Sequence, residues 1–233
     1  MGLVIRMVFF SSTVLFLLTT LLIRLSFKTI KKHPVTTNQG TTDNGSRHAL
    51  GSILIICLVM VIIWICYEQW NSNVSVLMVA KHISVPKYSL LFTISTVEII
   101  LIQPFTTRLF KPSFKAEKMR IILGLISFAL SYLAIINTGS YWRYVLGITL
   151  VTFGEMLALI AIPALLNRFA DDRNRGTIQS VGSFAGSMGR ALGPLFGGYF
   201  ITAFDYSWTF LGMFIIHLLL IIPVFMLRMN KPK

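Results

Sequence analysis

The sequence predicts an all-α membrane protein with about seven transmembrane helices, and three observations carry that prediction. Hydrophobic residues fill 55% of the 233 positions while charged residues fill only 12%. Mean hydropathy is +0.76, far above the range of soluble globular domains. The apolar residues also fall into runs of roughly 20, the length at which a helix crosses the hydrocarbon core of a bilayer. Within lipid every backbone polar group needs an internal partner, which favours helices for runs of this kind.

The expected spans lie near residues 4–24, 50–68, 89–107, 120–137, 144–166, 177–203 and 208–227. The first follows Arg6 and superficially resembles a signal peptide. No small-residue cleavage site follows it, and Arg24, Lys28, Lys31 and Lys32 come next, so it reads as a membrane span. Residues 25–48, centred on TTNQGTTDNGS, are polar, glycine-bearing and without periodicity. They read as a flexible linker between one helix, 1–24, and a block of six helices, 49–233.

The net charge of +13 resides mostly in short loops. Arg24, Lys28, Lys31, Lys32 and Arg47, then Arg108, Lys111, Lys115, Lys118 and Arg120, then Arg168, Arg173 and Arg175, then Arg228, Lys231 and Lys233 all fall on one side of the expected membrane. Only Arg6, Lys81, Lys87 and Arg143 fall on the other, sixteen against four. Because cytoplasmic loops collect Lys and Arg, this places the amino terminus outside and the carboxyl terminus in the cytoplasm of a multi-pass plasma-membrane protein. An odd number of spans agrees with that result. The basic residues are thus topology signals, and no nucleic-acid partner is expected.

No enzyme is expected. The chain has no phosphate-cradling GxxxxGK[ST], no HExxH and no serine nucleophile elbow. Cys57 and Cys66 sit in one apolar run without a His or Cys at metal-ligand spacing, so neither a metal nor a cofactor is expected. Arg173 and Arg175 in ADDRNRG read as solvated loop charges, with Asp171 and Asp172 beside them as partners for a local ion-pair network.

Residues 177–203 carry Gly182, Gly186, Gly189, Gly193 and Gly197, spaced by 4, 3, 4 and 4 residues. At about 100° per residue they form one stripe roughly 80° wide, a surface on which a second helix backbone can pack closely. Pro194 removes a helical hydrogen bond and predicts a kink in the outer half of that helix. Arg190 projects just past the stripe's edge, beside Gln179 and Gly197.

Ionisable residues at membrane depth are costly and usually face a cavity or a partner. Glu98, Glu155, Arg190 and His217 fall near the midpoints of their spans, and Glu68 lies nearer the outer end of its own. Arg190 and Glu155 read either as a static ion pair or as a site in which Glu155 titrates or meets substrate under the influence of the arginine. Glu98 reads as a candidate for the same chemistry or as a neutral buried carboxyl, and His217 as a packed, hydrogen-bonded neutral histidine. In CYEQWNSN, Glu68, Gln69, Asn71 and Asn73 are too polar for a lipid-facing surface and predict a cavity lining. The 120–137 span, without charge in its interior, and the first span both read as peripheral, lipid-facing helices.

The stretch FGEMLALIAIPALLNRFADDRNRGTIQSVGSFAGSMGRALGPLFGGYF resembles helices ten and eleven of the major facilitator superfamily. WICYEQWNSNVSV resembles helix seven of its drug–proton antiporter and peptide-transporter branches. The resemblance implies that the seven spans correspond to helices six to twelve, the last six forming one half of a major facilitator bundle. It implies three-helix repeats whose first helices line the cavity, whose second helices meet the other half and whose third helices lie outside. Glu68 and Glu155 then belong to cavity helices, Glu98 and Arg190 to interface helices, and His217 to an outer one.

The resulting expectation is the carboxyl-terminal half of a proton-coupled secondary transporter in the lipid bilayer, exporting small amphipathic, cationic molecules. Alternatives are proton-coupled uptake of peptides or other small nutrients, and a non-transporting membrane fragment or interaction subunit. Helices one to five have no counterpart in the sequence. A truncated or split transporter that needs an amino-terminal half is therefore expected, with the glycine stripe packed at the seam between halves.

Overall fold

The computed structural model describes residues 2–27, 43–171 and 173–228, which are helical apart from short connections. Helix α1 (Gly2–Phe27) belongs to one compact unit, Met1–Gly40, and the remaining helices to a second, Thr41–Lys233. In α1, Thr19 and Thr20 return their hydroxyls to the carbonyls of Leu15 and Phe16 at 2.7 and 2.8 Å, which satisfies them without a partner helix. Most of the expected linker, 28–42, lies outside the described residues, as does Asp172 of the ADDRNRG loop.

The second unit comprises α2 (Asp43–Ala80), α3 (Val85–Leu109), α4 (Phe114–Ile135), α5 (Tyr141–Gly154), a π-helical turn (Glu155–Leu159), α6 (Ile160–Arg168) and α7 (Arg175–Met226). Helix α5, the π turn and α6 run on as one span, Tyr141–Arg168. Helix α7 holds the last two expected spans, divided where Asp205 adopts φ 68° and ψ 165°. Dihedrals stay in the helical range through Pro194, and the chain leaves it at Asp205.

Helix α2 runs twelve residues beyond the expected 50–68 span because CYEQWNSN stays helical. Its polar side chains bond along the helix, Ser72 Oγ to Glu68 O at 2.7 Å and Asn73 Nδ2 to Gln69 Oε1 at 2.5 Å. Helix α3 opens on Pro86, whose fixed φ and missing N–H suit a first turn. Helix α4 is capped by Ser113, whose Oγ accepts from Ala116 N at 3.1 Å.

Helix α4 meets the expectation of a lipid-facing 120–137 span on one stripe only, where Leu123, Ile126, Leu130 and Leu133 are exposed. More than half of its residues are buried, against α5, the π turn and α7. Small residues bring its other face into the core. A Cβ on Gly124 would lie 2.6 Å from Ala158 Cβ, and one on Gly154 would lie 2.7 Å from the Phe128 ring. Tyr132 Oη donates to Cys66 O at 2.6 Å and ties α4 to α2. Helix α3 is the opposite case, with only Leu91 and Ser95 buried.

Helix α7 packs along α2. Its glycine stripe lies against that helix, which corrects the expected placement at a seam between halves. A Cβ on Gly189 would meet Val61 O at 2.5 Å and Trp64 Cβ at 2.6 Å, and one on Gly193 would meet Glu68 Cβ at 2.6 Å. Gly182 faces Leu166 of α6 instead. In a bilayer, where apolar surface gains little by leaving lipid, such close backbone approach and interhelical hydrogen bonds hold helices together.

At the basic end of the bundle, Glu117 is buried and takes a two-pronged contact from Arg168, 2.5 Å from Nε and 2.8 Å from Nη2. Lys118 Nζ caps the end of α7 on Phe225 O and, at 3.1 Å, Leu227 O. These charges, read from sequence as topology signals, also clamp α4 to α6 and α7.

Candidate functional site

A cleft of about 280 Å³ opens among Trp64 of α2, Ile99 and Gln103 of α3, and Glu155, Met156, Leu159 and Ile160 of the π turn and α6. Glu155 is the ionisable residue of that lining. It stands at the first position of the π turn, in the middle of the Tyr141–Arg168 span. Pro163 accounts for the turn: it has no N–H to give to the carbonyl of Leu159, four residues earlier, and its ring crowds that carbonyl. The ladder before it widens, and single π turns of this kind frequently mark functional sites.

The Tyr67 hydroxyl lies beside the Glu155 carboxyl. Tyr67 meets Trp64 edge to face, ring centroids 5.0 Å apart at 68°. The other contact of Trp64 is Arg190, whose guanidinium carbon lies 3.9 Å from the indole centroid. Gly186 and Gly189 leave room for that indole, so the stripe admits Trp64 as well as the α2 backbone. The result is a relay of contacts from cation to ring to ring to carboxylate, spanning α7, α2 and the π turn. A cation on an indole face is worth about 0.5–1 kcal/mol when exposed and about 2 when desolvated.

The structure separates the other expected site residues. Arg190 makes no ion pair with Glu155 or Glu98 among the described residues; two aromatic rings stand between it and Glu155. Glu68 packs its Cβ on Gly193 and accepts from Asn71 Nδ2 at 3.0 Å, while Asn71 is exposed. Gln69 is fully buried, its Nε2 donating to Gly193 O and to Ile65 O at 2.8 Å each. It is a clamp between α2 and α7, so the expected cavity patch divides into a helix seam and a polar rim. Gln179 Nε2 likewise donates to Pro163 O at 2.9 Å and to Asn167 Oδ1 at 2.8 Å, joining α7 to α6.

Glu98 lies between α3 and α5, where Thr149 Oγ1 donates to its Oε1 at 2.7 Å. One turn away, Thr152 Oγ1 donates to Ser95 Oγ at 2.8 Å. His217 is buried between Phe128 and Tyr132, ring centroids 5.6 Å away on each side, with Nδ1 bonded to Met213 O at 2.8 Å. It has the packed role read from sequence.

Sequence reasoning missed Trp64, Tyr67, Gln103 and the π turn. Trp64, Tyr67 and Glu68 fall at i, i+3 and i+4, the spacing of one helix face, and Pro163 follows Glu155 by eight residues. Those two spacings were the available signals.

Residues 53–233 match the family model of the Major Facilitator Superfamily. The chain belongs to this superfamily. It is a multi-pass membrane protein of a transporter family and not an enzyme. The chain is also 26% identical over 196 residues to an uncharacterized MFS-type transporter, YttB, of Bacillus subtilis (strain 168). That match covers 83% of this chain and 49% of the relative, so the chain spans about half the relative's length.

Proposed function

We propose that α2 to α7 are the carboxyl-terminal half of a secondary transporter that uses the proton gradient to export small amphipathic cations across the plasma membrane. The observation that carries this reading is Glu155, an intramembrane carboxylate beside Tyr67 in a cleft otherwise lined by apolar residues and Gln103. An acid at that depth is costly as an isolated anion, which suits a group that exchanges a proton for a bound cation. The aromatic and aliphatic lining supplies surface for the apolar part of such a molecule. The basic end, with Arg168 and Lys118, is the cytoplasmic one in this reading. Movement of the cleft between the two sides of the membrane requires an amino-terminal half against which these helices rock.

Arg190 favours a second reading, uptake of peptides or other small nutrients. A guanidinium on Trp64 with no carboxylate partner among the described residues is an anchor for an anionic substrate group. The experiment is ethidium transport in everted vesicles carrying the intact gene product, with and without a pH gradient. Proton-driven accumulation that Glu155→Gln abolishes supports export of cations. Gradient-driven transport that persists in Glu155→Gln removes the titrating role, and dipeptide uptake without ethidium transport favours the second reading.

A further inference from the structure

We infer that Arg120 is a positioning residue for Glu155: its guanidinium holds the π turn in the register that aims that carboxylate into the cleft. This inference rests on the reading of the cleft as the working site.

Arg120 sits in the second turn of α4 and is 7% exposed. Its Nη2 donates to Met156 O at 3.0 Å, inside the π turn and one residue from Glu155. Met156 is itself 1% exposed and contributes to the cleft lining. The guanidinium rests on the Phe110 ring, 5.6 Å from its centroid, which fixes its direction of approach. It forms no ion pair with Glu117, whose two oxygens are both taken by Arg168. The nearby acid is therefore committed elsewhere, and the Arg120 head group is directed at a backbone carbonyl.

That direction has a physical reason. A widened turn disturbs the i to i−4 ladder, and in a dry membrane interior a carbonyl left without a donor is expensive. Arg120 supplies a charge-assisted donor to the turn, which stabilises the π register over the regular α register. Closing the turn to α geometry removes one residue from the widened loop. The residues on one side then rotate by about 100° relative to the other. Glu155 and Leu159, which share the cleft wall, cannot both stay there after such a rotation. Arg120 thereby ties the clamped basic end of α4 to the orientation of an acid near mid-membrane.

The test is the reaction rate of a water-soluble maleimide with Glu155→Cys and, separately, Leu159→Cys, in the full chain carrying Cys57→Ala and Cys66→Ala. Adding Arg120→Met is expected to change the ratio of the two rates about tenfold, because one position turns out of the cleft. Arg120→Lys, which keeps a cationic donor, is expected to restore the ratio to within about threefold. If Arg120→Met does not fold, Phe110→Ala carries the test by removing the ring that seats the guanidinium, with a smaller change in the ratio expected. An unchanged ratio in whichever of these variants folds overturns the inference, as does a change in Arg120→Met that Arg120→Lys fails to reverse. The labelling reads geometry and not flux. Transport indifferent to Glu155→Gln would therefore defeat the proposed function while leaving this inference standing, and an unchanged ratio would defeat only the inference.

Discussion

Gly189→Ala is the sharpest test of how α7 is held. The added Cβ would stand 2.5 Å from Val61 O and 2.6 Å from Trp64 Cβ, both on α2. Ordinary contact begins near 3.4 Å, so α7 must retreat by about 0.9 Å, and Val61 O belongs to backbone that no rotamer change can move aside. Overpacking of this kind costs about 1–3 kcal/mol. The same retreat stretches the 2.8 Å bond from Gln69 to Gly193 O beyond hydrogen-bonding range, and interhelical bonds in membranes average about 0.6 kcal/mol. The sum is roughly 2–4 kcal/mol, offset by up to about 1 kcal/mol from the better helix propensity of alanine. Gly198→Ala is the control, since nothing lies within 4 Å of its Cβ position. Cys57 and Cys66 are both buried, so a thiol-reactive dye reports unfolding in detergent as they become exposed. Gly189→Ala should lower the midpoint by at least about 2 °C and up to about 15 °C, and Gly198→Ala should leave it unchanged or slightly raised. Equal midpoints for the two variants would refute the close α2–α7 contact.

Other substitutions address the remaining joints. Asp205→Gly should stabilise the chain by about 1 kcal/mol in the same assay, because φ 68° with ψ 165° is a conformation that essentially only glycine adopts without strain. Glu117→Gln should cost about 1–3 kcal/mol, between the values for exposed and buried pairs, because Arg168 keeps 29% of its side chain exposed. The charge-reversed pair, Glu117→Arg with Arg168→Glu, should recover part of that loss. Tyr67→Phe should retain the fold but slow proton-driven ethidium transport by the intact gene product, since it removes the hydroxyl beside Glu155 while keeping the ring against Trp64. Residues 1–233 reconstituted without an amino-terminal half should show no proton-driven transport.

Much of the bundle was legible because lipid imposes simple rules. Span length and hydropathy located the helices, and the glycine spacing identified a packing face. What that face packs against was not legible, since a stripe specifies a close neighbour without naming it. The role of 120–137 was read only in part for a related reason. An apolar run says that a helix avoids water, and only Gly124 facing Ala158 and the Tyr132 bond to Cys66 identify the face that meets the core. Glu155 was legible as an expensive charge at membrane depth. Its surroundings were not, because the π turn arises from a ladder defect near Pro163 and shifts the register on which helical-wheel reasoning depends. A direct ion pair was one of the two readings of Arg190 and Glu155. Trp64 and Tyr67 intervene because Gly186 and Gly189 admit an indole where a larger residue would exclude it.

The central claim is that Glu155 exchanges a proton for a bound cation. The direct measurement is proton release when ethidium is added to the purified intact gene product in weakly buffered detergent near neutral pH. The account predicts release of up to about one proton per protein from the native sequence, and none from Glu155→Gln that still elutes as folded protein. Equal release from the two proteins would contradict it.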